Sequence, residues 1–239
     1  MRVAVISDIH GNLPALEAVA AHLRAERFDA VVNLGDNVSG PLFPRETAQL
    51  LMAEDWIHLA GNHERQLLEL GPASVPSDIY AHSQLDAEQL DWIATLPHTR
   101  SIEGGILLCH GTPSSDVTPL LEHGDRLASV DQITTRLGDT DAALILCGHS
   151  HVPRSVRIAG RLIVNPGSVG LPAYDDDRPF PHIIQTGSPD ARYAIVEFRS
   201  GAWSASLISV PYPVEQAAAA AEMRGRLDWA AGLRTGFMS

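Results

Sequence analysis

Cysteine is nearly absent from this chain of 239 residues: it has two, Cys109 and Cys147, so no disulfide framework holds the fold. Basic residues are scarce too. Lys plus Arg number 17 against 29 Asp plus Glu, a formal net charge of -12. That excludes tight binding to long nucleic acid, which needs a basic surface to displace condensed counterions. It leaves small anionic substrates open, because a bound metal inverts the local field. No apolar run approaches the ~20 residues that span a bilayer. The N-terminus reaches Asp8 before an apolar stretch of signal-peptide length develops. The expectation is a cytoplasmic protein that makes no membrane contact. The composition that remains is 45% hydrophobic and 19% charged, that of a globular chain long enough to bury a sizeable core. Histidine runs the other way. There are 11, several beside Gly, Asp or Asn in short punctuated motifs.

Hydrophobic periodicity organises the chain. Val3–Ser7, Ala30–Leu34 and Trp56–Ala60 read as buried strands. Between them lie helical stretches, one with Pro14 in its first turn and Leu16, Val19, Ala20 and Leu23 on one face, the other at Thr47–Met52. This alternation predicts a parallel sheet with crossover helices. Asp86 and Gln89 form a capping box for a helix running to Thr95. The second half reads as hairpins, Thr99–Ile102 with Gly105–Cys109, Ser155–Ile158 with Arg161–Asn165, and Tyr193–Phe198 with Ser204–Val210, plus a buried strand at Ala142–Cys147. The expected architecture is a single α/β domain over residues 1–239, two mixed sheets packed face to face with helices outside. Asp175–Ala191, rich in Asp, Pro and Gly, reads as a long flap-like surface loop, and 214–234 as a C-terminal helical segment.

The chemistry is concentrated where the strands stop. The first strand runs into Asp8-Ile9-His10, the second into Gly35-Asp36-Asn37, the third into Gly61-Asn62-His63-Glu64. Later strands run into His110-Gly111 and Gly148-His149-Ser150-His151. Ligands of open α/β sheets bind at the carboxyl ends of strands, so these ends would deliver imidazoles and oxygens to one rim. Asp8 and His10 are two apart, as are His149 and His151, and in extended chain each pair shares a face. Asp36 offers two oxygens suited to bridging cations. Nitrogen and oxygen ligands without thiolate suit Mn, Fe, Ni or Zn more than Ca. Asp8, His10, Asp36, Asn62, His110, His149 and His151 are too many ligands for one tetrahedral ion and suggest two divalent transition metals, manganese first among them.

In order and in gaps this series resembles the calcineurin-like metallophosphoesterase superfamily, and Asn165-Pro166-Gly167-Ser168-Val169 resembles its small single-domain bacterial and archaeal branch. The resemblance implies a four-layer α/β sandwich with a dinuclear site on its rim. It assigns Asp8, His10 and His151 to one metal and Asn62, His110 and His149 to the other, with Asp36 bridging. It implies a metal-bridging hydroxide as nucleophile and gives His63 the role of protonating the leaving group. Small phosphodiesters are the implied substrates. The chain departs from the branch at Asn37, where an aliphatic residue commonly follows Gly-Asp, and in the length of Asp175–Ala191.

Other readings compete at single positions. Asp8 or Asn12 could cap a helix, and Asn62 alone reads as a turn residue. Glu64 reads as a helix-start carboxylate supporting the site. Cys109 and Cys147 flank His110 and His149 as a Cys2His2 zinc site would. Adjacent strand residues point to opposite faces, however, so both read as small buried hydrophobes. His22, His58, His82, His98, His123 and His182 read as surface or packing residues, with His82 and His123 in rim loops. Asp175-Asp176-Asp177 reads as a solvated loop face and Ala217–Ala221 as helix propensity alone. At the level of function the alternatives are a phosphomonoesterase or nucleotidase, a non-catalytic metal-binding interaction module, and a mononuclear structural zinc protein. The sequence assigns no substrate-binding residue and leaves a homo-oligomer open.

Overall fold

The computed structural model describes residues 1–177 and 181–238. In chain order the elements are β1 (Arg2–Ile6), α1 (Leu13–Arg24), β2 (Ala30–Asn33), α2 (Pro44–Ala53), β3 (Ile57–His58), α3 (Asn62–Leu68), α4 (Pro76–Gln84) and α5 (Ala87–Thr95). Then come β4 (Thr99–Ile102), β5 (Ile106–Cys109), β6 (Glu122–His123), β7 (Arg126–Leu127), α6 (Val130–Leu137), β8 (Leu144–Leu146), β9 (Arg154–Ile158) and β10 (Arg161–Asn165). The chain closes with β11 (Ala173–Asp176), β12 (His182–Gln185), β13 (Ala191–Arg199), β14 (Ala202–Val210), α7 (Val214–Met223) and α8 (Leu227–Thr235).

Local chemistry sets the helices. The Asn12 side chain caps α1 by accepting from the Ala15 N–H. Capping boxes at Asp86/Gln89 and Ser129/Gln132 open α5 and α6. One sheet runs β14-β13-β1-β2-β3, with β1, β2 and β3 parallel and β13 antiparallel to β1. The other runs β4-β5-β8-β10-β9, with β5, β8 and β10 parallel between antiparallel edges. Strand alternation sorts the side chains. Val3, Val5, Val32 and Leu34 face Leu108, Leu144, Leu146 and Val164 in the core between the sheets. Ala4 and Ile6 turn outward onto Leu16 and Val19 of α1. Cys109, Ile145 and Ile163 turn outward onto Ile133 and Leu137 of α6. Helix, sheet, sheet and helix thus form the four layers expected. Each fully buried Val or Leu of the central layer stabilises the stack by ~1.5–3 kcal/mol. The inner strands β1, β5, β8 and β10 are buried on both faces, which is why they are nearly continuous apolar runs.

Several expectations need correction. Asp175–Ala191 is not one long loop: β11 and β12 pair as an antiparallel hairpin, Asp176 opposite His182, and β13 begins at Ala191. Its Asp, Pro and Gly residues read as punctuation, yet Asp175 and Asp176 sit on a strand with exposed side chains. Pro179 belongs to 178–180, outside the described residues. Glu64 does stand in the first turn of a helix, α3, whereas α4, α6 and the β6–β7 hairpin had no sequence expectation, being short or polar. His82 lies on α4 and His123 on β6 rather than in loops. The alanines at 217, 218, 220 and 221 do more than favour helix. They are buried in a third cluster that packs α7 and α8 against Leu42 and Leu171. Among the described residues no helix is long and apolar enough to cross a membrane.

Candidate metal centre and active site

The loops that follow β1, β2, β3, β5 and β8 converge on one rim. Backbone bonds staple the first two together: the N–H groups of Asp8, Ile9 and His10 donate to Gly35 O and Asp36 O at 2.9–3.0 Å. The turns are sharp. Among the described residues seven non-glycine residues have positive φ, and five of them are Asp8 (56°), His10 (53°), Asp36 (55°), His149 (68°) and His151 (58°). The extended-chain argument for the two pairs is therefore wrong in its geometry, although the side chains do meet. Left-handed backbone turns each one inward, and Asp and His are among the residues that tolerate it.

Asp8, His10 and His151 offer ligand atoms that all lie within 4.8 Å of one another, and so do Asp36, His110 and His149. His151 Nε2 is 3.3 Å from Asp8 Oδ1, and His110 Nε2 is 3.1 Å from Asp36 Oδ2. All but the half-buried His149 are buried. The tautomers follow from the backbone. Nδ1 of His10, His110 and His151 contacts the carbonyls of Ser39, Leu34 and Leu171 at 2.8–2.9 Å. A carbonyl only accepts, so Nδ1 carries a proton and, in the neutral ring, Nε2 is left a bare lone pair. The Nε2 atoms of His10 and His151 then face each other at 3.1 Å, and that of His110 faces a carboxylate with no hydrogen-bond partner. His149 is turned round. Its Nε2 donates to Val117 O at 3.1 Å, so Nδ1 is its free acceptor. Asn62 commits its amide nitrogen to Gln66, and its buried Oδ1 has no partner. Acceptor faces acceptor between His10 and His151, and Asn62 Oδ1 is left unpaired, the arrangement that a bound cation resolves.

At His110 a proton takes the place that a metal ion would occupy. Burial opposes charge on His110, but Asp36 and Asp8 outweigh it and push its pKa up to about 10. Burial, then the neighbouring His151, pushes His10 down to about 3. Burial also opposes ionisation of Asp36, but His110 and His63 hold it well below the usual carboxylate range. The two carboxylates are held ionised beside the imidazoles.

Its supports are visible as well. The buried Glu64 carboxylate accepts the N–H groups of Gly61, Asp36 and Asn37 at 2.7–2.8 Å, tying α3 to the Asp36 loop. Glu64→Ala should destabilise the protein by roughly 3 kcal/mol or more, since three buried donors lose their partner. Chemical denaturation measures this, and a loss below ~1 kcal/mol would show the carboxylate to be dispensable. Gly61 is required by close approach: a Cβ there would collide with Asp36 Oδ1.

His63 lies beside the cluster, its ring 5.4 Å from that of His10. Its Nδ1 is 2.8 Å from Oδ1 of Asp78, a buried residue of α4 that also accepts from Ser39 Oγ at 2.6 Å. Burial opposes a charged imidazole, but Asp36 and Asp78 push its pKa up to about 9. Sequence reasoning missed Asp78, because a carboxylate in the first turn of a helix reads as a partner for the helix dipole. It also missed the walls. A cavity of about 320 Å³ opens over the cluster, bounded by Tyr174 and His182 of the hairpin and by Arg226 and Trp229 at the start of α8. Cys109 and Cys147 are free, and Cys109 packs in the α6 layer, so the Cys2His2 reading fails on geometry.

A sequence model described as the calcineurin-like phosphoesterase superfamily domain matches residues 1–188. Among curated proteins, uncharacterized protein MJ0912 of Methanocaldococcus jannaschii is 27% identical over 198 residues, 78% of this chain and 75% of its own. Among solved structures, a metallophosphoesterase from Sphaerobacter thermophilus superimposes with a TM-score of 0.73 at 27% identity, over 96% of this chain and 100% of the other. Hypothetical protein PH1004 from Pyrococcus horikoshii OT3 shares the fold, with a TM-score of 0.77 at 18% identity over 100% and 99% of the two chains.

Proposed function

The chain belongs to the calcineurin-like phosphoesterase superfamily and is a hydrolase of ester bonds; from that premise we propose that it is a phosphodiesterase of small substrates, a single domain over residues 1–239 working with two divalent metals, manganese first. One observation carries the reading. Imidazole nitrogens whose other ring atoms are pinned to backbone carbonyls converge on one another and on two buried carboxylates. Asp8, His10 and His151 would hold one cation, Asn62, His110 and His149 the other, and Asp36 would stand between them. When bound, such a pair activates water and neutralises charge on the phosphoryl oxygens.

The chain supplies the rest. Asp78 keeps a proton on His63 Nδ1 and fixes the ring, leaving Nε2 to hand its proton to the departing alkoxide. That assignment makes little sense in a scaffold, which needs no leaving-group acid, and so favours an enzyme over a metal-binding interaction module. The hairpin β11–β12 lines the cavity, which supports 175–191 as a determinant of substrate size. Protein reconstituted with manganese should hold about two ions per chain by elemental analysis and hydrolyse bis(p-nitrophenyl) phosphate faster than p-nitrophenyl phosphate. A firm limit of one ion at full activity would sink the dinuclear reading. A preference for the monoester would put the phosphomonoesterase alternative in its place.

A further inference from the structure

The cluster is flanked by two cavities of about 320 Å³ each, and their linings are unlike. The first, over His10, Asn62 and His63, is walled by the rings of Tyr174 and Trp229 with Leu171, Pro76 and Pro119. Its remaining wall carries Asp175, Asp176, Asp228, Arg226 and His182. Tyr174 sets its ring 4.6 Å from that of His151. Trp229 sets its ring 6.1 Å from that of His10. The second cavity reaches His110 from the other side and is lined by Arg65, His98, Thr112, Ser114, Ser115 and Asp116. Asp116 is its one carboxylate. Both of its oxygens already accept from Arg65, at 2.9 Å from Nε and 3.0 Å from Nη2. That fork fixes the guanidinium plane and leaves Nη1 outside the pair. The second cavity therefore presents donors and takes an acceptor-rich group.

Helix α3 apportions the two sides. Asn62 and His63 at its start line the first cavity, Arg65 lines the second, and His110 stands 3.1 Å from Asp36 where the two meet. His63 lines the cavity that holds the Tyr174 and Trp229 rings and not the one that holds Arg65. The proton is delivered on the ring-bearing side, so the alcohol seated there leaves.

Resting on the phosphodiesterase reading, we propose that the substrate is an unsymmetrical phosphodiester: an apolar, ring-bearing alcohol seated against Tyr174 departs, while an anionic arm held by Arg65 stays on phosphorus. Water adds to phosphorus, the P–O bond to the ring-bearing alcohol breaks, and that oxygen takes up a proton.

Benzyl 2-carboxyethyl phosphate carries one arm of each kind on two primary alcohols. The metal-loaded protein should release benzyl alcohol and 2-carboxyethyl phosphate, at least ~10-fold over the opposite cleavage. Arg65→Gln should raise KM for this ester ~10-fold more than it raises KM for dibenzyl phosphate, the loss expected for one charged hydrogen bond. It should weaken binding of 2-carboxyethyl phosphate, read by calorimetry, by a similar factor. Tyr174→Ala should instead raise KM for the benzyl ester relative to methyl 2-carboxyethyl phosphate. Release of the other alcohol, a KM indifferent to Arg65, or cleavage of bis(p-nitrophenyl) phosphate with none of the mixed ester would overturn the assignment of arms. Failure to cleave either diester with any divalent metal would remove the phosphodiesterase reading itself.

Discussion

Asp36→Asn should lower turnover at least ~10³-fold and cost the protein bound metal, whereas Asp8→Asn should be the milder lesion. Asp36 Oδ2 lies 3.1 Å from His110 Nε2 and 4.0 Å from His10 Nε2, so it reaches both halves of the cluster. Its Oδ1 accepts the His63 N–H at 3.0 Å. An asparagine keeps its oxygen toward that N–H but turns a neutral NH2 toward His110, which loses the carboxylate that holds it charged. Loss of that buried ion pair should lower the melting temperature of the metal-free variant. Manganese should raise the melting temperature of the parent and leave that of the variant unchanged, which separates a ligand from a residue that merely holds the fold together. Calorimetric melting of both proteins with and without manganese, with elemental analysis after reconstitution, reads it. Equal metal content and equal rate in Asp36→Asn and Asp8→Asn would contradict the bridging role.

His63→Ala should cut hydrolysis of an alkyl phosphodiester by ~10²–10⁴-fold while slowing a nitrophenyl diester far less. An alkoxide is strongly basic and leaves only with a proton, whereas nitrophenolate is stable without one. The imidazole is well placed to give that proton, because Asp78 anchors Nδ1 at 2.8 Å and the ring belongs to neither ligand group. Both metals should stay bound. The check is a leaving-group series on parent and variant, with metal content measured in each. A uniform loss across the series would point to phosphate positioning instead, and loss of a metal would place His63 among the ligands.

What the sequence disclosed follows from where its information is local. Strand runs such as Val3–Ser7 and Ala30–Leu34 stop at Asp8 and at Gly35-Asp36, and that punctuation marks the rim whatever the backbone does next. Asp8, His10, His149 and His151 are legible as candidates for this reason, although the argument from alternation assumes extended chain where the backbone is left-handed. Glu64 reads as a supporting carboxylate, and its three backbone donors show how it supports. Asp78 and Arg226 are not legible. Each meets the site only through the packing of α4 and α8, and spacing within the chain carries no trace of that. The hairpin 173–185 is hidden because its exposed aspartates lack the apolar alternation of a half-buried strand.

The left-handed turns have a consequence for how the site is loaded. Each such residue outside glycine carries strain of order 1 kcal/mol, and here five are fastened by backbone bonds between the Asp8 and Asp36 loops, by Glu64 and by close glycine contacts. None of these fastenings involves an ion. The scaffold is thus a preformed socket rather than a shape that the ion imposes, unlike small zinc domains whose folding waits for metal. Ions should enter and leave without refolding, and the resident species is then set by supply and exchange rate within the range that imidazole and carboxylate accept.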